Sequence, residues 1–317
     1  MGFGIAAALT WALDTVILGM ALTDNVFVAT AQAAALAAFT STFLHDASSA
    51  ACVLIYNGAR RKLGETVRLL RSRAGKVIAG AALLGGPVGM TGYVLAINNI
   101  GAAYTAAISA FFPAYGAALA AFVLKEHMRP YQWLGLLACL AGVAALGYTP
   151  APDVPGNWAM GLGGALVCVL GWGTEAVVVD WGLRNAEADD ECAMQIRQTT
   201  SAVTYALAIL PLVGGWNEVG RIVSSSAMPL IILAALLGTA SYLCYYKAIG
   251  RLGASRAMAL NITYSAWAIP FSLLLLGTMP DTRGVVCALV IIAGAIVAAA
   301  DVKSLFAKNG RSGSVEA

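Results

Sequence analysis

Residues 3 to 22, FGIAAALTWALDTVILGMAL, hold one charged side chain, Asp14, and runs of this kind return along the whole chain. About 20 mostly apolar residues are needed to cross the hydrocarbon core of a bilayer as a helix. The sequence predicts such spans near 3 to 22, 31 to 57, 75 to 98, 101 to 124, 131 to 148, 157 to 182, 192 to 213, 227 to 249, 253 to 277 and 284 to 302. Composition agrees, with 60% of the 317 residues hydrophobic and 11% charged, against about 45 to 50% apolar and 25% charged in soluble domains. No soluble core hides that much apolar surface. The runs are continuous and rich in Ala, Leu and Gly, whereas a membrane β-barrel shows alternating segments of about ten residues. The expected class is an all-α membrane protein of ten transmembrane helices. Only Asn98 to Gly101 separates the third span from the fourth, which predicts a tight helical hairpin there. The first segment lacks a basic leading region and carries Asp14 in its apolar stretch, so it is expected to be a retained helix, not a signal peptide.

Lys and Arg collect in cytoplasmic loops, and the loop after the second span carries Arg60, Arg61, Lys62, Arg68, Arg71, Arg73 and Lys76. With that loop inside, sixteen basic residues fall on the cytoplasmic side, Arg221 and Arg283 fall outside, and Arg197 lies within the membrane. Both termini are therefore expected in the cytoplasm of a bacterial inner-membrane protein. The net charge of +3 then reflects topology and contact with anionic lipid, not a nucleic-acid partner. Six scattered cysteines without a CxxC pair read as packing residues.

Residues 100 to 124 lie over 252 to 276 at a constant offset of 152, which also pairs Ala141 and Gly142 with Ala293 and Gly294. Earlier in the halves, Trp11 and Asp14 match Trp172 and Glu175. The expected organisation is one five-helix unit over 1–150, a second over 151–303, a Pro-rich join near 148–156, and a cytoplasmic tail over 304–317 whose polar end, from Lys308, is disordered. An odd number of helices per unit inverts the second copy. Inverted repeats place a substrate near the midplane where they meet, which argues for transport.

Ionisable side chains inside apolar spans cost about 2.5 to 3.5 kcal/mol each, so each marks a candidate site. Trp11 and Asp14 lie three apart on the first span and Trp172 and Glu175 three apart on the sixth, so each pair shares a helix face. Indole beside carboxylate suits a cation: the ring face attracts an ammonium with about 2 kcal/mol when desolvated, and the carboxylate neutralises it. The bland alternative is that both tryptophans are packing anchors. His45 and Asp46 lie mid-span, and the offset sets Arg197 and Gln198 opposite them. A buried arginine must find Asp46, Glu175 or backbone carbonyls, and a structural bridge is its expected role. His45 is either a satisfied hydrogen-bond donor or a proton relay beside its acid. Tyr242, Tyr245 and Tyr246 cluster on the eighth span, and Tyr242 and Tyr245, with Tyr264 and Trp267 on the ninth, are candidates to complete an aromatic cage. Gly85, Gly86, Pro87 and Gly89 interrupt the third span for close packing or as a hinge.

Taken together, the chain resembles the drug/metabolite transporter superfamily, in its EamA-type branch of ten helices in two inverted repeats, over about residues 3 to 303. The segments GPVGM (86 to 90), HD (45 and 46), GWGTEA (171 to 176), IRQTTS (196 to 201), SYLCYYKAIG and ALNITY (259 to 264) are similar to those of bacterial choline importers associated with phosphocholine decoration. That resemblance implies an aromatic cage for a quaternary ammonium, to which Trp11, Trp172 and a tyrosine of the eighth span correspond. Glu175 matches the branch as well. Asp14 departs from its small uncharged residue and would favour a primary amine or a dication.

The leading expectation is a secondary transporter of a small organic cation working by alternating access, with export of amino acids or drugs as the alternative. No nucleotide-binding loop is present to make ATP the energy source. An enzyme would need a nucleophile with a base or a metal cluster, and the only histidines are His45 and His127. No cofactor is expected, and monomer and homodimer both stay open.

Overall fold

In a computed structural model the chain is helical, with no strand, across its described residues, 1–147, 157–185, 189–277 and 279–300. The join at 148–156 and the tail at 304–317 lie outside them. Helix α1 (Gly2–Leu22) leads to a short α2 (Asn25–Val28), and α3 (Ala31–Ala59) begins where the Thr30 hydroxyl accepts a hydrogen bond from the Ala33 N–H at 3.0 Å. The amphipathic α4 (Leu63–Arg71) precedes α5 (Arg73–Leu83), which passes through a π turn at Leu84–Val88 into α6 (Gly89–Ser109). Pro87 lies inside that turn; it has no N–H to give the preceding turn, and the widened ring absorbs the defect.

Helices α7 (Phe112–Val123), α8 (Pro130–Gly147) and α9 (Trp158–Asn185) follow. Asp189 caps α10 (Asp190–Thr204), which continues through a second π turn at Tyr205–Ile209 into α11 (Leu210–Val213). Gly214 then takes φ +68°, open to glycine, and the chain bends by 116° into α12 (Trp216–Val223). The last elements are α13 (Ala227–Leu252), α14 (Ala254–Asn261), α15 (Tyr264–Leu276) and α16 (Thr282–Ala299).

Among the described residues, six helical stretches are long and apolar enough to cross a membrane: 2–22, 73–100, 158–184, 227–252, 254–276 and 282–299. Helix α3 has 29 residues but falls outside those six. The polar residues that lower its hydropathy, Thr40, Ser41, His45, Asp46 and Ser49, are all buried. Helical backbone continues across Asn98 to Gly101, where the sequence predicts a hairpin turn. Between Ile100 and Phe112 the neighbours on α9 nevertheless reverse: Gly92 faces Gly164 and Ile100 faces Gly161, but Phe112 and Gly116 come back beside Gly173.

Small residues set the helix spacing. Missing side chains let backbones touch where α6 meets α9, at Gly92 and Gly164, and where α8 meets α16, at Gly135 and Gly294. In the second seam a Cβ on Gly135 would stand 2.7 Å from the Gly294 carbonyl, and one on Gly294 would stand 2.7 Å from the Cys139 amide. Helix α1 packs on α13, where the Ser241 hydroxyl donates to the carbonyl of the fully buried Ala7 at 2.8 Å.

Candidate functional site

Three carboxylates and two basic groups from four helices form one continuous buried chain. Asp14 of α1 meets His45 Nε2 of α3 at 3.2 Å, and His45 Nδ1 meets Asp46 at 3.3 Å. Both contacts at once need two N–H donors, so either the ring is charged or one carboxyl carries the proton. Asp46 accepts a hydrogen bond from the Ser201 hydroxyl at 2.6 Å and lies 3.5 Å from the Arg197 guanidinium of α10. Arg197 donates through Nε to Glu175 of α9 at 2.8 Å and to Gln198 Oε1 at 2.6 Å. Gln198 donates to Ser49, whose hydroxyl pairs with Thr239 of α13, each at 2.7 Å. Removing one partner of a buried pair of this kind costs about 3 to 5 kcal/mol, because the other is left charged and unpaired.

Bare backbone makes room for the chain. The Glu175 carboxylate occupies the place a Cβ on Gly85 would take, and the Ser201 hydroxyl lies 2.6 Å from the Cβ position of Gly86, both in the first π turn. Gly238 does the same for His45 and Asp14, at 2.8 and 2.9 Å.

Aromatic rings stand around this chain in two matched groups. Trp11 meets Tyr242 at 5.2 Å and Tyr264 at 6.3 Å between centroids, and Trp172 meets Tyr93 at 5.6 Å and Phe112 at 5.7 Å. The Arg197 guanidinium lies over the Tyr242 ring, 4.6 Å from its centroid. Between the groups is a cavity of about 160 Å³ walled by Tyr93, Phe112, Trp172 and Tyr264, with Ser109, Ser265 and apolar side chains completing it. It lies where two helices are interrupted, between α6 and α7 at Ala110 and Phe111 and between α14 and α15 at Ile262 and Thr263.

The sequence-predicted residues divide accordingly. Trp172 lines the cavity, and Trp11 stands behind Tyr264. Asp14, His45, Asp46, Arg197, Gln198 and Glu175 form the buried chain, not the cavity wall. Tyr242 stacks on Arg197, and Tyr245 packs in the apolar core with Tyr246 and Met194. Tyr93 and Phe112 were not expected from the sequence. Phe112 carried a usable signal, since the offset of 152 pairs it with Tyr264.

Apolar helices that bury an ion chain beside an aromatic cavity define a multi-pass membrane protein of the transporter class. The EamA-like transporter family matches residues 1–148 and again 159–300, and the chain belongs to it. It is 30% identical over 195 residues to Protein LicB of Haemophilus influenzae, a match covering 62% of this chain and 65% of that protein, so the chain spans just under two thirds of its relative's length. A crystal structure of a protein 20% identical shares the fold, with a TM-score of 0.66 over 96% of this chain and 97% of that one.

Proposed function

We propose that this transporter carries a small quaternary ammonium of the choline type across the bacterial inner membrane, by alternating access between two inverted five-helix halves. The observation that carries the reading is the cavity wall of Tyr93, Phe112, Trp172 and Tyr264, which holds no charged side chain. A primary amine brings three N–H donors that need acceptors, whereas a quaternary ammonium has none and seats against ring faces. A cavity of about 160 Å³ is well below the roughly 300 to 1,000 Å³ of drug-sized sites, which favours a small solute. Ser265 donates to the Ile262 carbonyl at 2.9 Å and keeps an acceptor oxygen for a substrate hydroxyl.

Ten helices in two inverted halves account for the pairing. Helix α1 packs on α13 as α6 packs on α9, while α3 meets α10, α7 meets α14 and α8 meets α16. Exchanging the halves maps each pair onto itself or another. The two interrupted helices meet at the cavity, the arrangement by which inverted-repeat transporters bind near the midplane. The membrane potential favours cation entry by about 2.3 kcal/mol per charge per 100 mV. The test is uptake of labelled choline by proteoliposomes under an imposed inside-negative potential. Accumulation that unlabelled choline suppresses is expected; uptake no greater than in protein-free vesicles contradicts the proposal.

A further inference from the structure

We propose that Arg197 is a tethered competitor: it occupies Glu175 when the transporter is empty and yields that carboxylate to the bound cation. The inference rests on the cation reading above and adds a specificity-determining residue to it. Arg197 already sits in a cation site, with Nε on the Glu175 carboxylate at 2.8 Å and the guanidinium over the Tyr242 ring at 4.6 Å. Trp172, on the cavity wall, lies three residues before Glu175 on α9, about 4.5 Å along the helix axis. An ammonium seated against that indole is therefore one turn from a carboxylate in use by the protein's own cation.

Arg197 also has somewhere to go. Asp46 stands 3.5 Å from its guanidinium, Gln198 accepts from it at 2.6 Å, and neither contact uses the Nε that holds Glu175. Charge balance permits the exchange: Asp14, Asp46 and Glu175 outnumber Arg197 and His45, so with the three carboxyls ionised an excess negative charge is left even when the imidazole is protonated. The side chain of Glu175 rests against the bare backbone of Gly85, where no methyl group confines it. A fixed structural bridge predicts the opposite of a competitor. If Glu175 is free only part of the time, apparent affinity is reduced by that fraction, and removing the competitor restores it.

Binding of choline and of tetramethylammonium to purified wild type, Arg197→Gln and Arg197→Gln/Glu175→Gln tests this. Arg197→Gln is expected to bind about tenfold more tightly and to transport more slowly, and the double variant to lose the gain. Unchanged or weaker binding by folded Arg197→Gln overturns the inference while wild-type binding leaves the proposed function standing. A wild type that binds neither cation removes both. Should Arg197→Gln not fold, the Arg197 Nε resonance of the ¹⁵N-arginine-labelled wild type, assigned against Arg197→Lys, decides: a shift on adding choline is expected, and a resonance that choline leaves in place overturns the exchange.

Discussion

Phe112 stands at right angles to Trp172, with ring centroids 5.7 Å apart. Tyr264, its partner at the repeat offset, stands edge-on to Trp11 at 6.3 Å. Both tryptophans thus have their rings fixed by aromatic neighbours. Trp172→Ala removes a cavity wall, at a cost of about 2 kcal/mol or more than tenfold in affinity for a quaternary amine. Trp11→Ala is expected to weaken binding less, through a loosened Tyr264. Titration of both variants with choline checks the order, and equal affinity in all three proteins contradicts it.

Gly85→Ala puts a methyl group where the Glu175 carboxylate lies, in a buried site. Overpacking of this kind costs about 1 to 3 kcal/mol, and here it also drives Glu175 off Arg197. Gly80, on α5, has open space at its Cβ position, and alanine there is expected to be neutral or to stabilise the helix. Thermal unfolding in detergent should lower the Tm of Gly85→Ala alone; equal Tm values would show that Glu175 relocates freely.

The trace of the fold in the sequence was strong where apolar length carried it and weak where tertiary contacts decided. Spans such as 2–22 and 227–252 are legible because length and hydropathy suffice. Helix α3 is legible too, as the span at 31 to 57, but the partners its buried Thr40, Ser41 and Asp46 find in its own carbonyls and on α10 are not. Trp11, Asp14, Trp172 and Glu175 are visible as a repeated pair, yet their surroundings differ: Trp172 lines the cavity and Trp11 does not, and Asp14 meets His45 where Glu175 meets Arg197. The Gly–Pro run at 85 to 89 signalled an interruption but not its use. That a carboxylate fills the missing side chain of Gly85 depends on α9, more than eighty residues on. Tyr93 had no local signal, because an isolated tyrosine in an apolar span is equally a lipid-facing or a packing residue.

A second charge cluster ties the end of α3 to the start of α10. Glu191 accepts hydrogen bonds from Tyr56 and Arg60 at 3.0 Å and from Lys62 at 2.7 Å, and Lys62 also reaches Asp189 at 2.6 Å. Burial is the largest single influence and works against the Glu191 and Asp189 charges, but Lys62 together with Tyr56 and Arg60 at Glu191, and Lys62 together with the backbone N–H groups of Glu191 and Cys192 at Asp189, outweighs it and holds both carboxyls below their usual range. Burial likewise opposes the Lys62 charge, and its two acids more than offset that and push it above an ordinary lysine. Depressed carboxyls contribute stability above the ordinary carboxylate range and lose it as pH falls through their folded values, below about pH 4. The raised lysine keeps its share through neutral pH and loses it only in strong alkali. Wild-type Tm is expected to fall between about pH 5 and about pH 2 by more than that of Glu191→Gln, which should already be lower at pH 7. Parallel curves for the two proteins contradict this.

Orientation follows from the basic loop at Arg60 to Lys76. On intact cells, an impermeant thiol reagent is expected to label a cysteine at Asn157 and not one at Arg61, in a background without native cysteines. The reverse labelling overturns the topology.

On the proposed function, the cavity takes a cation against its ring faces. Isothermal titration of the purified wild type with choline, tetramethylammonium, ethanolamine and a neutral amino acid measures that preference directly. Saturable binding of choline and tetramethylammonium, with ethanolamine at least about tenfold weaker for want of acceptors and no heat from the amino acid, is the predicted result. Binding of the amino acid or ethanolamine without binding of either quaternary amine would contradict the proposed function.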